Sequence, residues 1–155
     1  MKVALLYPPA CDPTAPYLSV PTLAAYLRRE GVDVVSIDAN AEAFDFLLRG
    51  ERLSTLAERV EKRLAKLERK PSLTHPEQLA YAALWAARAD AAEAPRAIDD
   101  AVRTLRTKDQ ARFYDVDVYE RAIGVVESAL RLISAAYAPL SLSFTQYRTP
   151  FSLLD

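Results

Sequence analysis

Glycine, cysteine and histidine are scarce in this sequence, and each scarcity excludes a class of site. The 155 residues include three glycines, one cysteine and one histidine. So few glycines argue against a glycine-rich phosphate loop, where the backbone must approach the phosphate closely, and against an all-β fold with many tight turns. A single cysteine, Cys11, excludes an internal disulfide and any multi-cysteine metal site. Helices are therefore expected to dominate the fold.

The two residues with the most reactive side chains, Cys11 and His75, are interpreted as having no catalytic role. Cys11 lies close to the start of a predicted helix, where a thiolate can be stabilised, but no histidine is near it in sequence and an idle thiol is the favoured interpretation. His75 lies at a helix start and is interpreted as a surface residue of the first turn. Because no nucleophile–base pair can be named, the chain is not expected to be catalytic by itself.

Excess charge and long apolar runs are absent as well. The net charge is −1, which gives no reason to expect a nucleic acid or an anionic membrane as a partner. The first apolar run, Val3 to Tyr7, stops at Pro8 and is too short for a signal peptide. No stretch reaches the length of about 18 apolar residues that a spanning helix needs. The sequence therefore predicts a cytoplasmic protein.

The first recognisable element is a βαβ unit. Val3 to Tyr7 and Val32 to Asp38 have the composition of two buried parallel strands. The apolar residues between them follow helical spacing: Val20, Leu23, Ala24 and Leu27. Ser19 is the expected N-cap of this helix, Pro21 lies in its first turn, and Gly31 suits the position after its end.

The rest of the chain is predicted to be mostly helical. A short helix over residues 41–49 is closed by Gly50, and the helix over 52–68 carries one apolar stripe: Leu53, Leu56, Val60, Leu64 and Leu67. Thr74 and Glu77 form a capping box for the following helix, and Pro95 is expected to start a further short helix.

The last predicted helix begins at a second capping box, Asp117 with Glu120, and ends before Pro139. Its apolar stripe comprises Ala122, Val126, Ala129, Ile133 and Ala136. The segment after it, LSLSFTQY, alternates apolar and polar residues, which is typical of a short strand or of an extended tail.

The predicted fold class is α/β, with a partial Rossmann-like βαβ unit followed by a largely helical region. The chain divides into a βαβ start over residues 1–44, a helical insertion over 45–138 and an extended tail or short strand over 139–155. Two parallel strands are too few to form a stable sheet by themselves, since stable sheets usually have about four to six strands. Either helices wrap a minimal sheet or the chain is part of a larger domain, and the apolar end TPFSLLD favours the second interpretation. An exposed sheet edge is then expected to promote homo-oligomers.

Ligands of open parallel sheets bind outside the carboxyl ends of the strands. In this sequence those ends are Tyr7 to Ser19 and Asp38 to Asn40. Proline and tyrosine side chains there offer flat apolar contact at little entropic cost, and hydroxyl, carboxylate and amide groups offer polar contact. The alternative is that the prolines only fix a loop and that Asp38 or Asn40 only caps the next helix.

The segment YPPACDPTAPYLSVPTLAAYLRREGVDVVSIDANAEAF resembles the opening of the cobalamin-binding domain that precedes the catalytic barrel of cobalamin-dependent radical SAM enzymes. The resemblance covers residues 3–44 and lies in an ordered combination: an apolar strand, Tyr-Pro-Pro, a loop containing Pro and Thr, Pro-Tyr-Leu-Ser-x-Pro, and a second strand ending in Asp-x-Asn. It implies that the loop and the turn line one side of a corrin. The residues so implied are Tyr7, Pro8, Pro9, Thr14, Tyr17, Leu18, Ser19, Pro21, Asp38 and Asn40.

Two motifs of related proteins are absent from the sequence. The Asp-x-His-x-x-Gly motif, which supplies an axial histidine in methionine-synthase-like domains, does not occur, and the radical SAM relatives commonly lack it too. Cys-x-x-x-Cys-x-x-Cys, the cluster motif of the radical SAM barrel, is also missing. The resemblance therefore implies that SAM and an iron–sulfur cluster belong to another domain, which would be this chain's partner. The rival hypothesis is a ligand-free helical interaction module on a minimal βαβ core.

Overall fold

The structure is a computed structural model that describes residues 2–8, 17–144 and 147–149. It divides into two compact units, one comprising the chain up to Phe46 with Phe144 and one comprising Leu47 to Ser143 with residues 147–149. Most of the described residues are helical, and one small sheet is parallel, so the coarse prediction of an α/β protein dominated by helices is confirmed.

The first unit is the βαβ unit that the sequence predicts. Its elements are β1 (Lys2–Tyr7), α1 (Ser19–Arg29), β2 (Asp33–Asp38) and α2 (Ala39–Leu47). The two strands pair in parallel over their whole length, from Lys2 opposite Asp33 to Tyr7 opposite Asp38. Helix α1 packs against both strands, and the guanidinium of Arg28 donates a hydrogen bond to the carbonyl of Val34 at 3.1 Å.

The end of α1 is as predicted, but its start is not. Gly31 has φ +78°, its N–H bonds the carbonyl of Arg28, and the N–H of Val32 bonds that of Leu27. These two hydrogen bonds satisfy the last carbonyls of the helix. They require a residue in the left-handed conformation, which glycine adopts without strain. At the other end Ser19 is the first helical residue and Leu18 holds the cap position without a side-chain cap bond, so the prediction of Ser19 as N-cap is wrong.

The described residues of the second unit form five helices and two short strands. Its elements are α3 (Gly50–Glu68), α4 (His75–Ala86), α5 (Arg88–Leu105), α6 (Gln110–Phe113), α7 (Val116–Ala136), β3 (Ser141–Leu142) and β4 (Tyr147–Arg148). Helices α3, α5 and α7 pack on one another, and β3 pairs with β4 in antiparallel fashion. The largest side chains of the core are Leu53, Leu64, Leu84, Ile98, Leu130, Leu132 and Ile133. The predicted stripes of α3 and α7 thus face this core.

Gly50 does not close the preceding helix as predicted. It is the first residue of α3, and its N–H bonds the carboxylate of Asp99 on α5 at 3.2 Å. A side chain at this position would lie 2.6 Å from the carbonyl oxygen of Pro95. Gly50 is therefore required because α5 approaches the start of α3 closely, a contact between residues far apart in sequence.

Two further helix starts differ from the prediction. Pro95 lies inside α5 and does not begin a helix, because the chain already turns at Ala87 and helical residues run on from Arg88. The N-cap of α7 is Asp115, whose carboxylate accepts the N–H of Val118 at 3.1 Å. The predicted capping box of Asp117 with Glu120 is wrong because Asp117 already lies in the first helical turn. The capping box of Thr74 with Glu77 is confirmed.

One face of the parallel sheet in the first unit is largely uncovered by the described residues of that unit. Along β1, Ala4 and Leu6 are exposed and alternate with half-buried residues. Leu6 is 59% exposed, and Val35, which lies opposite Ala4, is 41% exposed. Parallel sheets are normally covered on both faces, so this apolar face differs from the usual arrangement.

Candidate functional site

The candidate site lies at the carboxyl edge of the parallel sheet in the first unit. The register of the strands places Tyr7 directly opposite Asp38, each at the last position of its strand. Pro8 follows β1 and is exposed, and α2 begins at Ala39 immediately after β2. Both segments that the sequence singles out therefore start from neighbouring points on one edge.

Two aromatic rings lie together at this edge. The rings of Tyr7 and Tyr17 have their centroids 4.5 Å apart and an angle of 33° between their planes. Tyr7 is the last residue of β1, and Tyr17 lies just before α1. The contact therefore joins the end of the strand to the start of the helix. Tyr17 remains 38% exposed and Leu18 beside it 70% exposed. Tyr17 and Leu18 are thus exposed to solvent at this edge, and the Tyr17 ring packs against the half-buried Tyr7.

The polar residues of the edge differ in accessibility. Asp38 is exposed, and its Oδ1 accepts a hydrogen bond from the N–H of Ala41 at 2.9 Å. It therefore caps the start of α2 with one oxygen, as the simpler interpretation of the sequence expects. Ser19 is exposed in the first turn of α1, as is Pro21. Asn40 is only 4% exposed, so it is a buried polar residue.

Part of the predicted site falls outside the described residues. Pro9, Thr14 and also Cys11 belong to the range 9–16, which the structure does not describe. The described members that share the edge are Tyr7, Pro8, Tyr17, Leu18, Ser19 and Asp38.

The described residues offer no ready ligand set for a metal ion. No group of three or more histidine, cysteine, aspartate or glutamate side chains comes together within residues 2–8, 17–144 and 147–149. His75 is exposed at the first position of α4, as predicted, and belongs to the second unit. In the same part of the chain, no helix has both the length and the apolar character to cross a membrane.

The strand pattern in the sequence indicates this edge, but it does not show how the residues of the edge contact one another. The contact of Tyr7 with Tyr17 joins residues on the two sides of a loop, and no periodicity connects those two positions. The sequence leaves the role of Asp38 open, since aspartate after a strand serves equally as a helix cap and as a ligand-binding group.

Comparisons of this chain with protein-family models, with curated proteins and with solved structures found no match.

Proposed function

We propose that the first unit is the N-terminal part of a cobalamin-binding domain of a radical SAM enzyme, and that this chain binds and positions the cofactor without catalysing the reaction. The observation that carries the proposal is the carboxyl edge of the sheet, where Tyr7, Tyr17 and Asp38 come together. It coincides with the segment whose sequence resembles that family, and ligands of parallel sheets bind at this edge.

The chemistry of the edge suits a corrin, which is a broad and largely apolar plate with amide arms. Tyr17 and Leu18 offer exposed apolar surface, and the contact with Tyr7 holds the Tyr17 ring in place. The carboxylate of Asp38, which bonds the N–H of Ala41 through Oδ1, and the hydroxyl of Ser19 suit the amide arms. Asn40 would act from beneath the surface, by fixing the turn that carries Asp38.

Cobalamin, when bound, would carry a methyl group or tune radical chemistry in the intact enzyme. The iron–sulfur cluster and SAM would be held by a separate domain, because one cysteine cannot ligate such a cluster. This chain's own residues would exclude water from one face of the corrin and fix its orientation.

The test is a titration of the purified chain with hydroxocobalamin, followed by the visible spectrum and by co-elution on gel filtration. We expect binding that Tyr17→Ala or Leu18→Asp weakens, whereas Tyr114→Ala, which removes a 74% exposed tyrosine of the second unit, leaves binding unchanged. A second observation is the parent gene: a downstream Cys-x-x-x-Cys-x-x-Cys in the same reading frame supports the proposal. The absence of binding, even by a longer chain that includes the flanking sequence of the gene, would contradict the proposed cobalamin binding.

The second candidate function, a helical interaction module, is favoured by one surface of the second unit. On α4 the ring of Trp85 is 52% exposed, lies near Tyr81 with 6.2 Å between centroids, and has the guanidinium of Arg88 5.3 Å above it. Tryptophan, tyrosine and arginine dominate the energetics of protein interfaces. A chain that does not bind hydroxocobalamin, from a gene without the cysteine motif, would make this the favoured function.

A further inference from the structure

A pocket of about 600 Å³ opens between α5, α6 and α7, entirely within the second unit. Its volume lies within the range of about 300–1,000 Å³ that small-molecule sites occupy. The pocket is separate from the carboxyl edge described above, and none of the proposed roles of the chain accounts for it.

The pocket exists because two helices present small residues to each other. Helix α5 lines it with Ala97, Asp100, Ala101 and Thr104. These positions are spaced i, i+3, i+4 and i+7, so they form one face of the helix. Ala101 and Thr104 are 4% and 3% exposed and form the floor, whereas Asp100 is exposed at the rim.

Helix α7 repeats the same spacing on the opposite wall, with Val118, Arg121, Ala122 and Val125. Ala122 is 5% exposed and belongs to the floor, and Arg121 is exposed at the rim. Both helices therefore supply a buried small residue below and a charged residue above. Alanines at these positions leave open a volume that leucine side chains would fill.

The charges of the rim are compensated unequally. Arg112 of α6 donates from Nη2 to the carboxylate of Asp100 at 3.3 Å and to the hydroxyl of Thr104 at 2.7 Å, so this pair is mutually neutralised and joins α6 to α5. Asp115 accepts the N–H of Val118 and faces the positive end of the α7 dipole. Arg121, in contrast, forms no hydrogen bond or ion pair with the described part of the chain. The charge that lacks a partner at the rim is therefore positive.

We propose that this pocket binds a small organic anion, a carboxylate on a compact apolar body, with the carboxylate on Arg121 and the apolar body on the alanine and valine side chains of the lining. Arginine suits this role because its planar guanidinium matches a carboxylate in geometry and stays charged. Arg112 retains donors on Nε and Nη1 and lies on the same rim, so it can supply a second contact.

The probe is sodium octanoate, titrated below its micellar concentration into the ¹⁵N-labelled full chain and followed by amide chemical shifts. We expect saturable shifts in residues 97–104 and 111–125. Two compounds of the same chain length, 1-octanol and n-octylammonium, control for apolar contact alone and for the sign of the charge. Octanoate is expected to bind about fivefold more tightly than octanol, equivalent to one exposed ion pair of about 1 kcal/mol, and octylammonium more weakly than either.

Matched variants locate the contact. Arg121→Gln is expected to weaken octanoate binding about fivefold and to leave octanol binding unchanged. Arg96→Gln, on the exposed side of α5 and outside the lining, should have no effect on either compound. Ala97→Leu fills the half-exposed upper wall and is expected to abolish both, with the unfolding midpoint of the chain as its folding control.

Three results would overturn the proposal: shifts that do not saturate, shifts centred on the sheet residues 4–6 and 35–37 instead of the pocket, and equal affinity for octanoate and octylammonium. The outcome is independent of hydroxocobalamin binding, because the two sites lie in different units.

Discussion

At the scale of single residues, the two helical glycines of the second unit have opposite surroundings. A side chain at Gly50 would meet the carbonyl oxygen of Pro95 at 2.6 Å and a carboxylate oxygen of Asp99 at 2.8 Å, whereas one at Gly124 would have nothing within 4 Å. Contacts under about 3.0 Å require a neighbour to move, and a backbone carbonyl inside a helix cannot move without disturbing the helix.

The first prediction follows from this pair of glycines. Gly50→Ala should lower the free energy of unfolding by about 1–3 kcal/mol, because the added methyl group forces α3 away from α5. Gly124→Ala is the matched control and should raise the free energy of unfolding by up to about 1 kcal/mol, because alanine has a higher helix propensity than glycine at an exposed helical position. Urea denaturation followed by the fluorescence of Trp85, the single tryptophan, measures both. A stabilising Gly50→Ala would contradict the close approach.

The hydrogen bonds of Glu77 make the stability of the folded chain depend on pH. Its carboxylate accepts hydrogen bonds from the ammonium of Lys70, from the backbone N–H of Thr74 at 3.0 Å and from the hydroxyl of Thr74 at 3.1 Å. The bond from Lys70, followed by those from Thr74, lowers the pKa of Glu77 from 4.5 to about 2. The ionised form is therefore favoured in the folded state.

The second prediction is that acid weakens the start of α4 within a defined window. A lowered carboxyl pKa contributes stability that is fully present above 4.5 and is lost as the pH falls towards about 2. Glu77→Gln should therefore be less stable than the original chain near neutral pH, and the difference should disappear by about pH 2. Urea denaturation at several pH values measures it. Glu58→Gln, which removes an exposed pair with Lys62, is the control and should not reproduce this profile.

At the scale of elements, α5 and α7 are joined by a two-pronged ion pair. Arg131 donates from Nε to Oδ2 of Asp90 at 3.0 Å and from Nη2 to Oδ1 at 2.8 Å. Nη2 also bonds the hydroxyl of Ser128 at 2.8 Å, which fixes the guanidinium. The Asp90 side chain is 11% exposed, and its hydrogen bond raises the pKa of Arg131. The geometry is specific to arginine, because lysine cannot supply two parallel donors.

The third prediction is that Arg131→Lys lowers the free energy of unfolding by about 1 kcal/mol, because one prong of the pair is lost and the carboxylate of Asp90 is largely buried. Arg103→Lys is the matched control. Arg103 pairs with Asp100 at 3.3 Å, with both side chains mostly exposed, so its replacement should change stability by less than about 0.5 kcal/mol. Equal effects of the two substitutions in chemical denaturation would show that the pair with Asp90 has no special weight.

At the scale of the whole molecule, the uncovered face of the parallel sheet leads us to expect self-association. Leu6 and Val35 are exposed large apolar residues on this face, and only β1 and β2 form the sheet within the described residues. A two-stranded parallel sheet leaves unpaired backbone groups at both edges, which favours pairing with another chain.

The fourth prediction is that the chain self-associates with rising concentration and that Leu6→Lys reduces this association. The added charge opposes burial of the face and leaves the backbone pairing of β1 in place. Leu79→Lys replaces a leucine that is 61% exposed on α4 and is the control for added charge. Sedimentation equilibrium measures both variants. A clean monomer of the original chain at high concentration would count against the prediction.

Much of the fold was determined locally and could be predicted. The alternation and length of apolar runs specify the strands and the stripes of α3 and α7. The side-chain capping box at Thr74 and the left-handed backbone of Gly31 specify two helix boundaries. Those signals act within a few residues, so a sequence displays them directly. The carboxyl edge was predicted for the same reason, because a strand followed by a helix and a parallel strand has only one such edge.

What only the tertiary structure decided involves contacts between distant residues. The sequence indicates a helix end at Gly50. In the structure a glycine is required there because Pro95 and Asp99 of another helix lie close to it. Ala122 belongs to the predicted apolar stripe of α7, yet in the structure it lines an open pocket together with Ala101 of α5. Helical spacing determines which residues share a face, but the free energy of packing between helices determines what that face meets.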